Sequence, residues 1–441
     1  MATKPRNLIY GVDERPPVLT TLFLGLQHTF VMSTSLVIPV VIVSEIGGTQ
    51  EQIRTVVTYS MIAAGIATIL QSFKRGPVGS GYLCPQLCGP SFLSASIQAA
   101  WLGGLPLLFG MTTIAGVFEA ALSRLVYRLR GLFPPTVTGL VVLMVGVALV
   151  PIAASSFLGV RTADAGIELA DLTVGAVTLA VMVSLNIWGR GALKLFGVLL
   201  GIVIGYVAAY VSGVLTQPDL LFIWASPMLD IPERPAFNWS FSWSLLIPFL
   251  LASLASSVKT IGDVLTCQKI NDADWKEPDM KSISGGLLAD GCSSILSGVF
   301  GGMGISTSSS NVGVSIATGA TSRRIAWATG GIFILLGFLP KLAGVYSVMP
   351  KPVMGAALVF VASFMVVAGI QILLTSHIGT RETLVIGLPL IFGLSVDILP
   401  DLYSDIHPWL EPFFSSSLAL ATVLAIALNQ VFNIGRRNAE V

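Results

Sequence analysis

The sequence is poor in charge. Only 11% of its 441 residues are Asp, Glu, Lys or Arg, whereas 54% are hydrophobic. A soluble domain carries charge on about a quarter of its residues, because its surface faces water. Most of the surface of this protein is therefore expected to face lipid. The formal net charge of +1 offers no electrostatic attraction for nucleic acid, and we exclude that class of partner.

Residues that bind metals or carry out catalysis are also scarce. The three histidines are too few and too scattered for a metal cluster, and we predict no cofactor. A Ser/His/Asp set or a phosphate-binding loop with suitable spacing is lacking, so an enzyme is not predicted. The cysteines lie in or beside apolar segments, which favours reduced packing residues over disulfides or metal ligands: Cys84, Cys88, Cys267 and Cys292.

Long apolar runs, by contrast, fill the chain. A membrane helix needs about 20 mostly apolar residues. Runs of this kind lie near 18–44, 54–73, 104–128, 132–153, 171–189, 193–214, 242–268, 282–300, 324–345, 350–374, 383–399 and 413–434. Two more segments, 80–100 and 301–321, are apolar enough to cross but are interrupted. Counting them predicts an all-α polytopic membrane protein with 14 transmembrane segments. Residues 1–17 are too polar for a cleavable signal peptide.

The distribution of Lys and Arg predicts the orientation of these spans. With an inner N-terminus and fourteen spans, most of the 24 Lys and Arg residues fall in inner loops, as the positive-inside rule requires. Both termini are therefore expected to be cytoplasmic, in a multi-pass protein of a bacterial inner (plasma) membrane. The exceptions are Lys259, which lies within a span, and five residues in outer loops: Arg54, Arg161, Arg234, Lys341 and Lys351.

The two interrupted segments occupy matching positions. They read GSGYLCPQLCGPSFLSAS from Gly79 and GGMGISTSSSNVGVSIATG from Gly301, and they are the third member of each seven-span half. An odd repeat number places the second half upside down, so the pattern predicts two inverted seven-span repeats. Non-helical backbone survives at membrane depth only inside protein or beside a cavity, and such matched breaks indicate a midplane binding site. Close glycine-mediated helix packing is the alternative interpretation.

Each interrupted segment is expected to enter extended and then to turn into a half-helix, near Pro90 in span three and near Ser310 in span ten. The free amide groups at a helix N-terminus form a positive end that can hydrogen-bond a polar ligand. The sequence therefore predicts two such ends near the middle of the membrane.

Five ionisable residues lie within predicted spans, where burial of a charge costs at least a few kcal/mol. Lys259 and Asp263 are four apart on one helix face, so they either pair structurally or serve as substrate ligand and proton site. Asp290 is a second candidate for protonation. His28 either lines the site or forms an interhelical hydrogen bond, and Glu119 either pairs with Arg124 or contacts another helix.

Several motifs are spread over nearly the whole chain. They are DERPP at 13–17, LGLQHTF at 24–30, GSGYLCPQLCGPSF at 79–92, IGDVLTCQKIN at 261–271, ADGCSSILSGVFGG at 289–302, SNVGVSIATG at 310–319 and MPKPVMGAALV at 349–359. Together they resemble the motifs of the nucleobase–ascorbate transporters, which include uracil, xanthine and uric acid permeases. The signature of that family in span ten ends with Asn, any residue, Gly, four residues, Thr and then Arg, Lys or Gly, and Asn311, Gly313, Thr318 and Gly319 fit it.

The resemblance implies a core of spans 1–4 and 8–11 that holds substrate and a gate of spans 5–7 and 12–14. It also implies a homodimer and symport with protons by alternating access. The corresponding segments are a cytoplasmic N-terminal segment 1–17, core 18–130, gate 131–215, a linker 216–241, core 242–345, gate 346–434 and a cytoplasmic tail 435–441.

The resemblance also implies which residues form the site. Substrate is expected between the two half-helices, beside span eight, and protons are expected at Asp263, Asp290 and His28. The candidate substrate-binding residues are His28, Gln86, Ser91, Phe92, Lys259, Ser310 and Asn311.

Two positions depart from the family pattern. Lys259 stands where a Glu usually hydrogen-bonds the base, and Ser310 stands where Gln or Glu is usual. A protonated Lys donates hydrogen bonds and accepts none, so Lys259 favours a substrate with carbonyl oxygens or negative charge, such as urate or xanthine. Alternatively, Asp263 neutralises Lys259, and the helix amides near Ser310 bind the substrate.

Three functions are therefore weighed. The first is a proton symporter for an oxopurine, and the second is a transporter of another small solute, such as an organic anion, on the same fold. The third is a channel-like or sensory membrane protein, which would have continuous pore-lining helices instead of two broken ones.

Overall fold

A computed structural model of the chain describes residues 3–6, 8–129, 134–160, 166–190, 193, 196–232, 238–403, 406, 407, 414 and 416–433. Nearly all regular structure in these ranges is helical. The predicted tail 435–441 lies outside them, as does residue 130, where the first core segment was predicted to end. The first half contains α1 (Val18–Ser33), α2 (Val37–Glu45), α3 (Gln50–Gln71), β1 (Gln86–Cys88), α4 (Leu93–Leu129), α5 (Pro135–Ala148), α6 (Val150–Phe157), α7 (Leu169–Ile187) and α8 (Gly197–Val211).

The second half begins after α9 (Gln217–Ala225), a short helix in the predicted linker. As in the first half, two long helices or more precede a three-residue strand, and a further helix follows that strand. The helices and strands of this half are α10 (Leu246–Asn271), α11 (Met280–Phe300), β2 (Ile305–Thr307), α12 (Ser309–Thr318), α13 (Arg323–Gly337), α14 (Pro340–Ser347), α15 (Lys351–Leu373), α16 (Thr380–Ile398) and α17 (Ser417–Val431).

Within the described ranges, eight helical segments are long and apolar enough to cross a membrane, or nine if one bent pair counts as a span. The first of them, Val18–Glu45, combines α1 and α2 through a short 3-10 turn. Among the remaining predicted spans, α8 and α17 are apolar but only 15 residues long. The chain is therefore an integral multi-pass membrane protein.

Two breaks shape the spans around the interrupted segments. Gly103 and Gly104 are non-helical within α4, and Gly104 has a φ of 67°, which glycine adopts readily. This break separates the predicted spans 80–100 and 104–128. The predicted span 324–345 is bent by 79° between α13 and α14. Pro340 opens the second helix there, because proline lacks the N–H needed to continue the first.

Glycines allow three helix pairs to approach closely. A Cβ atom on Gly65 of α3 would lie 2.7 Å from the carbonyl oxygen of Gly330 in α13, and the reverse distance is 2.5 Å. Gly116 of α4 and Gly291 of α11 are related in the same way, at 2.8 Å in each direction. Gly139 of α5 likewise meets the carbonyl oxygen of Gly369 in α15, at 2.9 Å. Contacts of this kind pack membrane helices through their backbones.

Residues 8–14 form an N-terminal strap across the end of α12. The backbone amides of Ile9 and Tyr10 donate to the carbonyl oxygen of Gly319, and the amide of Thr321 donates back to the carbonyl of Tyr10. Asp13 of the strap bonds Arg323 at the start of α13. The strap thus fixes the junction between α12 and α13.

All four cysteines are free thiols, and three of them are buried: Cys84, Cys88 and Cys267. Cys84 and Cys267 pack with Val312 in a small apolar cluster beside the two strands. The sequence predicted reduced cysteines that serve as packing residues, and these two pack in this way.

Candidate functional site

The two interrupted segments meet as a two-stranded antiparallel ribbon. Gln86 pairs with Thr307, and Cys88 pairs with Ile305. Every residue of the ribbon except Leu87 is buried. The extended entry predicted for both segments is confirmed. The buried backbone amides of Gln86 and Cys88 donate to the hydroxyls of Thr68 and Ser35, and that of Ile305 donates to the hydroxyl of Ser294. The fold thus supplies these amides with hydrogen-bond partners that lipid cannot supply.

A helix follows each strand, as predicted. After β1, a 3-10 turn at Pro90–Phe92 leads into α4. After β2, α12 begins at Ser309, and the side chain of Ser308 caps it by accepting from the amide of Asn311 at 3.3 Å. Because the strands are antiparallel, the two helices leave the ribbon from opposite ends, about 7 Å apart along it. Two positive helix ends therefore lie close together beside the ribbon.

Lys259 and Asp263 lie beside the ribbon on α10. The Lys259 ammonium is 3.5 Å from a carboxylate oxygen of Asp263, which confirms that the two residues share one face. The ammonium also donates to the backbone carbonyl of Thr307. Asp263 in turn accepts from the Thr307 hydroxyl at 2.6 Å. The structure thus holds this ion pair against the end of β2, where α12 begins.

Asp290 lies deeper, in α11, and is fully buried. One carboxylate oxygen accepts from the side-chain amide of Gln86, and the other accepts from the hydroxyl of Thr260. Gln86, predicted to bind substrate, is itself fully buried and directs its amide at Asp290. Gln86 and Asp290 therefore link β1 to α11 behind the ribbon.

His28 and Asn311 meet across the two halves of the chain. The imidazole Nδ1 atom of His28 is 2.8 Å from the Asn311 side-chain oxygen. The Asn311 side-chain nitrogen donates to Ser308 at 2.9 Å. This is the interhelical hydrogen bond that the sequence offered as one interpretation of His28. The other ring nitrogen of His28 is buried and has no hydrogen-bond partner among the residues that the structure describes.

An open face comprises the exposed surface of α10 at Gly262, three residues after Lys259, and the exposed surface of α12 at Ser310 and Gly313. A Cβ atom added to Gly262 or Gly313 would meet no other atom within 4 Å, so free space adjoins both residues. Ser310, predicted to lie at the site, is exposed at the N-terminus of α12. Lys259 is partly exposed here, and its ammonium bonds the carbonyl of Thr307, two residues before that helix begins. A solute entering along this face meets an ammonium group and the amides of a helix end.

Ser91 and Phe92, which follow β1, are both buried. The Phe92 ring packs on the backbone of Gly304, where an added Cβ would lie 2.5 Å from two ring carbons. This contact holds the start of α4 against the start of β2.

The remaining sequence candidates lie away from the open face. Glu119 of α4 is fully buried and accepts from Ser257 of α10 at 3.1 Å, so it contacts another helix, whereas Arg124 is exposed. Thr318 and Gly319 end α12, and Gly319 has a φ of 62° as its C-cap. These two signature residues lie about 12 Å along the helix from Ser310 and shape the helix end that the strap binds.

Sequence reasoning missed Thr260 and Thr307. Both hydroxyls bond acidic residues, and they lie 3.1 Å from each other. Thr260 is three residues before Asp263, a spacing that places it on a neighbouring part of the same helix surface. No local signal pointed to Thr307, because its role depends on a ribbon formed by distant segments.

Comparisons with known proteins agree with this architecture. A family model described as Permease family, Xan_ur_permease, matches residues 19–402. The putative purine permease CPE0397 of Clostridium perfringens is 29% identical over 96% of this chain and 93% of its own. The xanthine permease XanP of Escherichia coli is also 29% identical, over 98% and 96%. The nucleobase transporter PlUacP of Paenibacillus larvae is 26% identical over 95% and 96%.

Solved structures with the same fold are membrane transporters. The transmembrane domain of the cyanobacterium bicarbonate transporter BicA superposes with a TM-score of 0.63, covering 95% of this chain and 99% of that one, at 13% identity. The murine anion transporter Slc26a9 in the inward-facing state gives a TM-score of 0.64, covering 96% and 69%, at 12% identity. At these identities the likeness establishes the fold alone.

Proposed function

Because the chain belongs to the nucleobase–ascorbate transporter family of permeases, we propose that it is a secondary active transporter of a nucleobase. Its substrate is an oxopurine such as xanthine or urate, and protons drive its uptake. The observation that carries this proposal is the position of Lys259, beside the N-terminus of α12 and partly open to the free space along Gly262 and Gly313.

The chemistry of Lys259 favours an oxopurine. An ammonium group donates hydrogen bonds and accepts none, and the free amides at the start of α12 also only donate. A solute bound by both must present acceptors, such as the carbonyl oxygens of xanthine or the negative charge of urate. Asp263 balances the Lys259 charge at 3.5 Å, so an uncharged oxopurine remains compatible with the site.

The glycine contacts support two inverted seven-span repeats. Numbering the spans as the sequence predicts makes the α3–α13 contact one between spans 2 and 11, and the α4–α11 contact one between spans 4 and 9. Replacing each span by its counterpart in the other half, seven places along the chain, turns the pair 2 and 11 into the pair 9 and 4. The same operation exchanges β1 with β2 and the partners α5 and α15. An antiparallel ribbon is the arrangement that a two-fold axis requires.

This repeat arrangement supports a division into a core of spans 1–4 and 8–11 and a gate of spans 5–7 and 12–14. Substrate is carried by alternating access as the core moves against the gate. We further propose a homodimer in a bacterial inner membrane with both termini cytoplasmic, as the distribution of Lys and Arg predicts.

Asp263 and Asp290 are the proposed proton sites. Asp290 is enclosed in the core, and Asp263 lies one helical turn from Lys259. Ionisable groups enclosed within a membrane domain commonly form proton pathways. His28, hydrogen-bonded to Asn311, is proposed as a substrate-site residue that orients the start of α12.

A second candidate function is transport of a small organic anion. Ser310 is exposed and lacks the carboxylate or amide that usually recognises a base at this position, and Lys259 supplies a cation. A carboxylate solute would bind the same ammonium and helix end.

Thermal stabilisation of the detergent-purified protein tests both functions. A ligand that binds only the folded state raises the melting temperature by mass action. The panel comprises uracil, xanthine, hypoxanthine, guanine, urate and small carboxylates, measured on the wild type and on Lys259→Ala. We expect shifts with xanthine or urate that are lost in the variant. A response to carboxylates alone would replace the oxopurine with an organic anion.

A further inference from the structure

Four oxygen atoms form a continuous chain between the two aspartates. A carboxylate oxygen of Asp290 contacts the Thr260 hydroxyl, which lies 3.1 Å from the Thr307 hydroxyl. That hydroxyl is 2.6 Å from a carboxylate oxygen of Asp263. Asp290, Thr260 and Thr307 are at most 1% exposed, and Asp263 is 6% exposed. The chain therefore connects the centre of the core to the ion pair at the open face.

Counting hydrogens along this chain shows one missing. It has three oxygen–oxygen contacts, but two threonine hydroxyls supply only two hydrogens. With both carboxylates ionised, one contact must place lone pairs against each other, an uncompensated arrangement that is costly in a buried site. One additional proton makes every contact a hydrogen bond.

The balance of charge leads to the same count. Lys259 carries one positive charge, and two ionised aspartates would carry two negative charges. One proton shared by the aspartates makes this group of three neutral, which a low-dielectric interior favours. Among the described residues, Glu119 of α4 and Cys84 before β1 also face the group, with Cys267 of α10 next to Cys84 and His28 of α1 beyond Asn311.

We propose that Thr260 and Thr307 form a relay through which Asp290 and Asp263 share one proton. In one state Asp290 holds the shared proton and donates a hydrogen bond to Thr260. Thr260 then donates to Thr307, and Thr307 donates to Asp263. Transfer moves each hydrogen one bond onward: the Asp290 proton goes to Thr260, that of Thr260 to Thr307, and that of Thr307 to Asp263. The net result is the transfer of one proton, and with it one unit of positive charge, from Asp290 to Asp263. Both hydroxyls are restored, and every hydrogen bond in the chain then points the opposite way.

The relay gives the proposed transport function, on which this inference rests, a physical link between proton and substrate. Asp263 is the relay end that contacts Lys259, the proposed substrate ligand. A proton on Asp263 removes the countercharge of Lys259 and leaves the ammonium free to bind a solute acceptor. A proton on Asp290 restores the ion pair. Thr260 and Thr307 are positioning residues in this scheme, since they act through the two aspartates.

Valine and serine variants test the relay. Thr260→Val and Thr307→Val keep the shape and remove the hydroxyl, whereas Thr260→Ser and Thr307→Ser keep it. Thr329→Val is the matched control, because this buried hydroxyl bonds the carbonyl of Ile325 in its own helix at 2.8 Å. Each protein is reconstituted in proteoliposomes, and accumulation of radiolabelled xanthine and urate is measured with and without an imposed pH gradient.

We expect both valine variants to lose gradient-driven accumulation by about tenfold or more, the effect of removing a hydrogen bond to a charged group. Exchange of internal for external substrate without a gradient should persist, and the serine and Thr329→Val proteins should resemble the wild type. Gradient-driven accumulation at the wild-type level in both valine variants would overturn the relay.

Infrared difference spectra between acidic and alkaline protein test the relay without transport or a correctly chosen substrate. We expect a carbonyl band of one protonated carboxyl group that shifts in Thr260→Val, or in Thr260→Ala if the valine variant does not fold. Absence of a shift in folded Thr260→Val, or a band unaffected by both Asp290→Asn and Asp263→Asn, would refute the shared proton. A further outcome is a wild type that shows the carboxyl band, with this band shifting in Thr260→Val, but accumulates neither purine. In that case the proposed function fails while the relay stands.

Discussion

The imidazole Nδ1 of His28 and the side-chain oxygen of Asn311 lie 2.8 Å apart, although the residues are 283 positions apart in the chain. Because the Asn311 nitrogen donates to Ser308, its oxygen faces His28, and the imidazole Nδ1–H donates to it. The first helix of the chain thus bonds the first turn of α12, next to the exposed Ser310.

This geometry predicts different effects for two substitutions of His28. In His28→Asn the side-chain nitrogen occupies the position of Nδ1 and keeps the bond, whereas in His28→Gln it lies near Nε2. We expect His28→Asn to bind xanthine or urate with an affinity within about threefold of the wild type. We expect the affinity of His28→Gln to be about tenfold lower, the effect of one buried hydrogen bond. Titration of ligand against thermal stability measures both, and equal losses would contradict the Nδ1 assignment.

Replacement of Lys259 by Glu should change which solutes compete for transport. A carboxylate accepts ring N–H groups, so Lys259→Glu is expected to favour neutral bases such as uracil over urate. Competition of unlabelled bases against labelled substrate measures this preference. Lys269→Glu, near the end of the same helix and beside Trp275, is the control. An unchanged competition profile in Lys259→Glu would exclude substrate contact by Lys259.

Asn substitutions at the two aspartates should separate exchange from accumulation. Asp263→Asn and Asp290→Asn retain the side-chain shape but cannot release a proton at physiological pH. We expect each to abolish uphill accumulation in a pH gradient while exchange continues. Uptake with the same pH dependence as wild type in both variants would rule out these residues as the coupling sites.

Alanine at Gly304 should destabilise the site through Phe92. The new methyl group would lie 2.5 Å from two carbons of a fully buried ring, and overpacking of this kind costs about 1–3 kcal/mol. The melting temperature in detergent should fall for Gly304→Ala. It should not fall for Gly313→Ala, where open space receives the methyl and alanine favours the helix more than glycine does. Equal stability of both variants would mean that the ring moves freely.

The strap should contribute stability that depends on pH. Partial burial raises the pKa of Asp13, but the charges and hydrogen bonds of Arg323 and Lys74 outweigh it and hold the pKa below its usual value. A carboxyl group with a lowered folded-state pKa stabilises while ionised and loses that effect as pH falls through this pKa.

For Asp13→Asn we therefore expect a loss of at most about 1 kcal/mol at neutral pH, typical of an exposed ion pair, and almost none once the pH is below the lowered pKa of the Asp13 carboxyl group. Melting temperature against pH measures it, with Asp274→Asn as an exposed control. A difference from wild type that does not diminish on acidification would argue against the Asp13 ion pairs.

The sequence predicted those features that depend on local composition or spacing. The glycine, proline and serine content around Pro90 and Ser310 predicted extended segments that turn into helices, and the four-residue spacing of Lys259 and Asp263 predicted their contact. Pro340 within an apolar run was a signal of the 79° bend that the prediction of one span at 324–345 did not use.

Pairings between distant segments were beyond such reasoning. Gln86 was predicted to bind substrate, yet its amide meets Asp290 through a ribbon whose second strand comes from the other half of the chain. Thr307 likewise acquires its acidic partner from another element, α10, 44 residues before it in the chain. Hydrophobic periodicity is a local quantity, so it identifies each span but not the partner of a polar side chain within it.

The ribbon also imposes an order on the biogenesis of the protein. When β1 leaves the ribosome, the hydroxyls of Thr68 and Ser35 are already present to accept from the amides of Gln86 and Cys88. The opposite edge of β1 has no partner until β2 is synthesised. Asp290, which accepts from the side-chain amide of Gln86, lies 204 residues downstream. The first half thus enters the bilayer with one edge of polar backbone unpaired. Insertion of the second half completes the interior of the first, so neither half is a finished unit alone.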